Sequence, residues 1–261
     1  MAGANVLRSC EHWVVQYQRT WRGTLVSSFL MPLLYLSAMG VGVGSRLDDG
    51  AVAALGGGSP DYLSFVGPGL LAAVSMQTAA IMATYPVHGA ISGRQGNIYQ
   101  SMLHSPLGTA EVCAGHLLFI GLQVFLTATV FFGYLVAFGV ATSLWAPFAI
   151  LIALLTGLAC AAPVAAFSAW TGKDASLTVV LRFAILPAFL FSGTFYPVHL
   201  MPEPLQWLVM AGPLAHSTEL CRALVTGTIT GSALLHLIVP AAWLVIGFAM
   251  ACRVYRRRLA V

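Results

Sequence analysis

Long stretches without a charged side chain constrain what this chain can fold into. A helix needs about 20 predominantly apolar residues to cross a hydrocarbon layer of roughly 30 Å. Charged residues make up only 8 % of the chain, which is too few to cover a soluble surface, since a typical globular chain is about 25 % charged. We therefore predict an all-α integral membrane protein with six transmembrane helices. The six apolar windows lie at about 24–44, 62–85, 112–140, 145–170, 176–196 and 232–252.

The arginine and lysine side chains predict the orientation, because short cytoplasmic loops carry an excess of them. With the N-terminus in the cytoplasm, only Arg46 and Arg222 of the 12 cations lie outside. The reverse orientation would invert that ratio. We therefore expect both ends of the chain to face the cytoplasm.

The segment 5–22, which precedes the first window, combines aromatic side chains at helical spacing with arginines. An interfacial helix places its aromatic rings at the level of the lipid headgroups and its cations near lipid phosphate. We predict such a helix here, and the alternative is an ordinary juxtamembrane tail. The residues on which the prediction rests are Trp13, Tyr17, Arg19, Trp21 and Arg22.

Two further segments are too polar or too broken by proline to cross the membrane. Residues 86–110 form a cytoplasmic loop between the second and third windows, and residues 197–227 lie outside between the fifth and sixth. Irregular backbone at membrane depth needs hydrogen-bond partners within the protein. We therefore expect two short helices, at about 204–211 and 216–226, in the external segment, and the alternative is a loop lying on the headgroups.

Sequence motifs of catalysis and metal binding are missing. The chain has no G-x-x-x-x-G-K-[ST] phosphate loop and no G-x-S-x-G or H-E-x-x-H motif. His199, Met201 and His216 share the external segment without the tight spacing of metal ligands. We expect no catalytic residue, metal or cofactor in this chain. The missing polar cluster argues against a lipid-modifying enzyme, and the missing acids within the windows argue against an ion-driven carrier.

Several motifs resemble those of one transporter family. FSGTFYP at 191–197, followed by LMP at 200–202, resembles the FSG-x-F-x-P…LP signature of the membrane subunit of ABC-2-type exporters. PLAH at 213–216, followed by Arg222, resembles the next stretch of that signature. Nearer the front, MPLLYL and YLSFVGPG resemble the branch of nodulation lipo-oligosaccharide export permeases and daunorubicin-resistance permeases. The resemblance covers nearly the whole chain.

The resemblance implies that residues 1–261 form a single membrane domain of an exporter in the cytoplasmic membrane of a prokaryote. Two permease protomers, identical or related, would bind two ATPase subunits that hold ATP and magnesium, so this chain would not be an enzyme by itself. Such exporters move lipids, polysaccharides, lipo-oligosaccharides or hydrophobic drugs, the last giving efflux and antibiotic resistance. A stand-alone channel or secondary carrier is the alternative function.

The resemblance also assigns roles to two groups of residues. The loop after the second window would contact the ATPase through a short helix at about 97–106, although Arg94 is its only charged residue between Tyr85 and Ala110. The expected contact residues are Asn97, Tyr99, Gln100, Met102, Leu103 and His104. The external segment would be the gate, formed by Gly193, Pro197, Pro202, Leu205, Leu208, Pro213, His216, Glu219 and Arg222. We further expect a Glu219–Arg222 ion pair, and we expect Leu220 and Leu224 to face the exit path.

Overall fold

The computed structural model describes residues 2–18, 30, 32–43, 61–93, 98–105, 107–228 and 231–259. Residues 32–37 are helical and lead into a π-helical turn at Ala38–Val43. Short 3₁₀ turns lie at Ala146–Phe148 and Val198–Leu200. The other helices are α1 (Ala2–Tyr17), α2 (Tyr62–Ile91), α3 (Ile98–Leu103), α4 (Thr109–Ala137), α5 (Ala149–Trp170), α6 (Asp174–Phe191), α7 (Glu203–Ala211), α8 (Pro213–Thr226) and α9 (Ala233–Leu259).

The all-α prediction is confirmed, because no strand occurs among the described residues. Five helical stretches are long and apolar enough to cross a membrane, namely α2, α4, α6, α9 and Ala146–Trp170, which contains α5. They coincide with five of the six predicted windows to within a few residues at most ends. The remaining window, 24–44, lies largely outside the described residues, so a sixth span stays a prediction.

Helix α2 is the centre of the bundle, and α5 packs along it. In the most apolar 18-residue window of α2, 78 % of the residues are buried. Small residues bring the helices close together, which is how helices associate in lipid, where there is little hydrophobic force between them. A Cβ atom at Gly157 of α5 would lie 2.9 Å from Val124 of α4 and 3.2 Å from the carbonyl oxygen of Ser75 of α2.

Helices α6 and α9 present most of their apolar surface to the outside of this chain. In the most apolar 18-residue window of each of these two helices, only 11 % of the residues are buried, in contrast to α2. Helix α6 also contains a π-helical turn, Leu181–Ile185, and Pro187 follows in the next turn. Such turns are frequent at functional sites within helices. The surfaces of α6 and α9 are therefore open to lipid or to another chain.

Candidate functional site

Helix α1 lies against the first turns of α4. Asn5 Nδ2 donates to the Glu111 carboxylate at 3.1 Å, and the same carboxylate accepts from the Gly108 amide at 2.9 Å. Ser9 Oγ donates to the Val112 carbonyl at 3.4 Å. Glu111 thereby caps the N-terminus of α4 and also binds α1, so its carboxylate links the first turns of the two helices.

The structure corrects the predicted environment of Trp13. Its side chain is only 3 % exposed and packs on His116 of α4, with ring centroids 4.2 Å apart, so it is not a headgroup anchor. Tyr17 is half-buried against Phe119. A run of aromatic residues at helical spacing does not distinguish a lipid-facing stripe from one that another helix covers. Arg19, Trp21 and Arg22 lie outside the described residues, and the interfacial position of α1 stays a prediction.

We expect the substitution Gly115→Ala to separate α1 from α4. A Cβ atom at this position would lie 2.4 Å from Ser9 Cβ and 2.9 Å from the carbonyl oxygen of Val6. Overpacking of this kind costs about 1–3 kcal/mol. The buried thiol of Cys10 should then react faster with maleimide. The matched control is Gly133→Ala on the same helix, because nothing lies within 4 Å of a Cβ there. Equal labelling rates in the two variants would contradict this packing.

Helix α3 forms within the predicted cytoplasmic loop, but Tyr99 points into the bundle. Its side chain is 0 % exposed, and its hydroxyl lies 2.6 Å from His116 Nδ1 and 3.3 Å from the Tyr255 hydroxyl. Burial raises the pKa of Tyr99, which keeps the phenol protonated and able to donate. The prediction that Tyr99 touches an ATPase is therefore wrong, because a partner cannot reach this side chain while α3 packs against the other helices of this chain.

The outer face of α3 consists of other residues than Tyr99. Gln100, Ser101 and His104 are exposed, whereas Met102 and Leu103 are half-buried against the bundle. Asn97 lies outside the described residues. A six-residue amphipathic helix is too short for its sequence to show which face is buried, so sequence reasoning missed Ser101. Contact with an ATPase through this face stays a prediction.

At the opposite end of the bundle, α6 stops where the sequence predicts a break. Gly193 has a φ of +79°, in the left-handed region that glycine adopts readily, and a Cβ atom there would lie 2.8 Å from Val198 Cγ2. Pro197 is buried and precedes the 3₁₀ turn Val198–Leu200. Helices α7 and α8 then follow within a few residues of the predicted ranges. The segment predicted to lie outside is therefore helical rather than a loop.

Arg222 of α8 connects the break at the end of α6 to α2. It is 7 % exposed, and its Nε and Nη2 atoms donate to the carbonyl oxygens of Phe65 at 3.1 Å and Gly193 at 3.0 Å. Its Nη1 atom donates to Glu219 Oε1 at 2.7 Å, and its guanidinium carbon lies 3.9 Å from the centre of the Phe65 ring. The expected Glu219–Arg222 pair is confirmed, with Arg222 buried between α2 and the end of α6. Burial lowers the pKa of Arg222, and Glu219 opposes that change.

Side chains of α8 and α9 fix the end of α7. His216 Nε2 lies 2.8 Å from the carbonyl oxygen of Met210, and His216 Nδ1 lies 3.0 Å from His236 Nδ1. A carbonyl oxygen only accepts, so His216 Nε2 carries the hydrogen and His236 Nδ1 donates to His216 Nδ1. Trp243 Nε1 donates to the carbonyl oxygen of Ala211 at 3.0 Å. The carbonyls of Met210 and Ala211, two of the four that a helix end leaves without an intrahelical partner, thereby accept hydrogen bonds.

The predicted gate residues divide into an exposed and a buried group. Leu208 of α7 is 71 % exposed, Leu205 is half-buried and Pro202 is exposed. Pro213 begins α8 and is buried. Leu220 and Leu224, which we expected to face the exit path, are buried among the bundle helices instead. That expectation is wrong because α8 packs against α2, α5 and α9 together, so nearly all of its sides are buried.

A cavity of about 610 Å³ lies beneath α7, between α5, α6 and the start of α8. Its walls are almost wholly apolar. The π-helical turn of α6 contributes Phe183 and Ile185 to the lining, and α7 contributes Leu208. Because ligand pockets for small molecules occupy about 300–1,000 Å³, this cavity has room for part of an apolar molecule.

The predicted orientation can be tested by labelling introduced cysteines. Leu208→Cys should react with a membrane-impermeant maleimide in intact cells, because α7 is exposed and is predicted to lie outside. Ser101→Cys on α3 should react only after permeabilisation. Four of the five native cysteines are buried and Cys252 is half-exposed. Both variants are therefore made in a Cys252→Ser background, in which the native cysteines should react little with the maleimide. Labelling of Ser101→Cys in intact cells would show that the orientation is the reverse of the predicted one.

The helices define a class of protein before any comparison is made. The chain is an α-helical protein with several apolar helices long enough to cross a membrane and a broken helical segment between the last two of them. Residues 11–226 match the family described as ABC-2 type transporter. The chain belongs to the ABC-2 type transporter family.

The relatives of this chain include several proteins named nodulation protein J. The one from Rhizobium leguminosarum bv. viciae is 25 % identical over 257 residues, covering 95 % of each chain. The one from Rhizobium meliloti strain 1021 is 24 % identical over 257 residues, covering 95 % of this chain and 94 % of the relative. The match therefore covers nearly the whole length of the chain at low identity.

Proposed function

We propose that this protein is the membrane-spanning permease subunit of an ATP-driven exporter in the cytoplasmic membrane of a prokaryote. The observation that carries the proposal is the ABC-2 type transporter match over residues 11–226. The chain itself has no phosphate loop, so ATP and magnesium would be held by two separate ATPase subunits.

The exposed apolar helices support a complex of two permease protomers. Phe183 of α6 is 76 % exposed and Leu186 is 45 % exposed. Contact with lipid alone would explain exposed apolar residues on α6. The adjacent α7 also exposes Trp207, which is 78 % exposed, so the apolar surface extends beyond the spanning helix. A second protomer, identical or related, would cover this surface, and the translocation path would lie between the two copies.

The substrate class that fits best is an amphiphile. The cavity beneath α7 offers apolar walls to a hydrocarbon portion, while a polar portion would remain in the path outside it. Lipids, lipo-oligosaccharides, polysaccharides carrying a lipid, and hydrophobic drugs all have this character. The relatives named above are nodulation proteins, which favours a lipo-oligosaccharide or a similar glycolipid, whereas drug efflux and antibiotic resistance rest on the motif resemblance alone.

Co-purification and reconstitution test this proposal. A phosphate-loop ATPase should co-purify with the tagged protein from its native membrane, and its ATP hydrolysis should rise when the permease is present in liposomes. Mass spectrometry of the lipids and small molecules in the purified complex should identify an amphiphile. Ion conductance or downhill flux through the reconstituted protein alone, with no bound ATPase, would favour the channel or carrier instead.

A further inference from the structure

A buried chain of hydrogen bonds joins four helices at the cytoplasmic end of the bundle. Tyr99 of α3, His116 of α4 and Tyr255 of α9 are each at most 1 % exposed. The Tyr99 hydroxyl lies between the other two, 2.6 Å from His116 Nδ1 and 3.3 Å from the Tyr255 hydroxyl. The other nitrogen of His116, Nε2, lies 3.3 Å from the carbonyl oxygen of Met82 in α2.

Chemistry fixes the direction of every bond in this chain. The Met82 carbonyl only accepts, so His116 Nε2 carries the hydrogen and Nδ1 is the acceptor. Tyr99 must then donate its hydroxyl hydrogen to His116 Nδ1, which leaves the Tyr99 oxygen to accept from Tyr255. The bonds therefore run in one direction, from α9 through α3 and α4 to α2.

The last acceptor of the chain is a carbonyl that its own helix cannot satisfy. In an α-helix, the carbonyl of Met82 would accept from the amide of residue 86, but residue 86 is a proline. Proline has no amide hydrogen, and its ring pushes away the carbonyl four residues earlier, which kinks the helix. His116 thus supplies the hydrogen bond that Pro86 removes, and Tyr99 in turn holds His116 in the required tautomer.

We propose that Tyr99, His116 and Tyr255 are positioning residues that form a coupling joint. Through this joint, displacement of α3 by the ATPase reaches the proline break in α2 and the cytoplasmic end of α9. The inference rests on the proposed function, and it assigns the buried face of α3 to transmission and the exposed face to docking. Trp13 of α1 closes the joint from the side, since its ring lies 4.2 Å from His116.

The position of these side chains favours transmission over simple packing. Two phenylalanines and a leucine of equal size would fill the same space without leaving a buried polar group to satisfy. A fully satisfied polar network in a buried site specifies one arrangement of its helices. When α3 moves, the hydrogen bonds must break or carry α4 and α9 along, whereas apolar contacts would slide.

Two conservative variants test the joint in the complex of permease and ATPase in liposomes. Tyr255→Phe removes one donor, and Tyr99→Phe removes the central hydroxyl, while both keep the rings. The readout is the external labelling rate of Leu208→Cys, in the Cys252→Ser background, with and without ATP plus vanadate. We expect either variant to reduce the ATP-dependent change in that rate about five-fold, the factor that corresponds to one net hydrogen bond.

Controls separate transmission from stability. Tyr85→Phe is the matched control, because Tyr85 is half-exposed on α2 next to Pro86. In Tyr255→Phe the amount of bound ATPase should remain at the wild-type value, and the thermal midpoint should fall by only about 2–4 °C, the shift expected for one lost hydrogen bond. A merely structural role would lower that midpoint without changing the response to ATP. If Tyr99→Phe fails to assemble, Tyr255→Phe decides, because it loses only the 3.3 Å bond.

The outcomes distinguish this inference from the proposed function. A wild-type ATP response in Tyr255→Phe, with ATPase bound, would overturn the joint and leave the exporter proposal standing. A wild-type protein that binds no ATPase and shows no ATP response would overturn both. A lost response with bound and hydrolysing ATPase supports the joint.

Discussion

Replacement of Arg222 by methionine should destabilise the external segment by about 3 kcal/mol or more. The guanidinium donates to two backbone carbonyls, those of Phe65 and Gly193, and hydrogen bonds to charged groups contribute about 1.5–3 kcal/mol each. Methionine has similar length but no donor, so both carbonyls lose this partner. The midpoint of denaturant-induced unfolding should fall, and the end of α6 should become accessible to protease.

Two further substitutions show which part of the Arg222 contact matters. Arg222→Lys should recover only part of the loss, because an ammonium group cannot reproduce the planar fork that reaches two carbonyls and Glu219 together. Glu219→Gln should cost less than about 1 kcal/mol, because the amide keeps an acceptor oxygen for Arg222 and the Glu219 side chain is 42 % exposed, so water weakens its part of the ion pair. If Arg222→Met unfolded at the wild-type midpoint, Arg222 would not hold the break.

The sequence predicts the spans well because the lipid imposes a simple rule. Hydrocarbon admits only apolar helices of sufficient length, so the windows at 62–85 and 232–252 coincide with α2 and α9 whatever their neighbours are. The break after α6 was predictable for a similar reason. A glycine at positive φ and a following proline are local features that the residues themselves require.

The side of a helix that faces the protein was not predictable in the same way. Trp13 and Tyr99 are residue types that are common at interfaces with lipid or with a partner protein. In the structure both rings are buried and pack against His116. The burial of Trp13 depends on Gly115 of another helix, which lets α1 approach α4. A single sequence shows that small and aromatic residues are present, but not which ones meet.

The proline at position 86 illustrates the same limit at the end of the bundle that is predicted to face the cytoplasm. Its sequence position predicts a free carbonyl at Met82, because the i to i−4 bond cannot form. The group that satisfies this carbonyl, His116, lies 34 residues away on another helix, and only the fold reveals it. Local chemistry therefore predicts the need, and tertiary packing supplies the partner.

Replacement of Gly247 by valine should have the largest effect on the bundle itself. A Cβ atom there would lie 2.5 Å from Pro163 Cδ, 2.9 Å from the Pro163 nitrogen and 3.0 Å from Ala162 Cβ. Overpacking in a core costs about 1–3 kcal/mol and occasionally more. The high end applies here, because a proline ring and a backbone atom cannot rotate away as a flexible side chain can. Helix α9 would have to move off α5, and the yield of monodisperse protein in detergent should fall steeply.

Gly133→Val is the matched control for Gly247→Val, because a Cβ atom at Gly133 meets nothing within 4 Å. It should give wild-type yield, which separates a steric effect from the general cost of valine in a helix. The double variant Gly247→Ala with Pro163→Ala should be more stable than Gly247→Ala alone, because removal of the proline ring also removes the nearest atom, Cδ. Additive losses in the double variant would show that the two residues are not in contact and that α9 packs on α5 elsewhere.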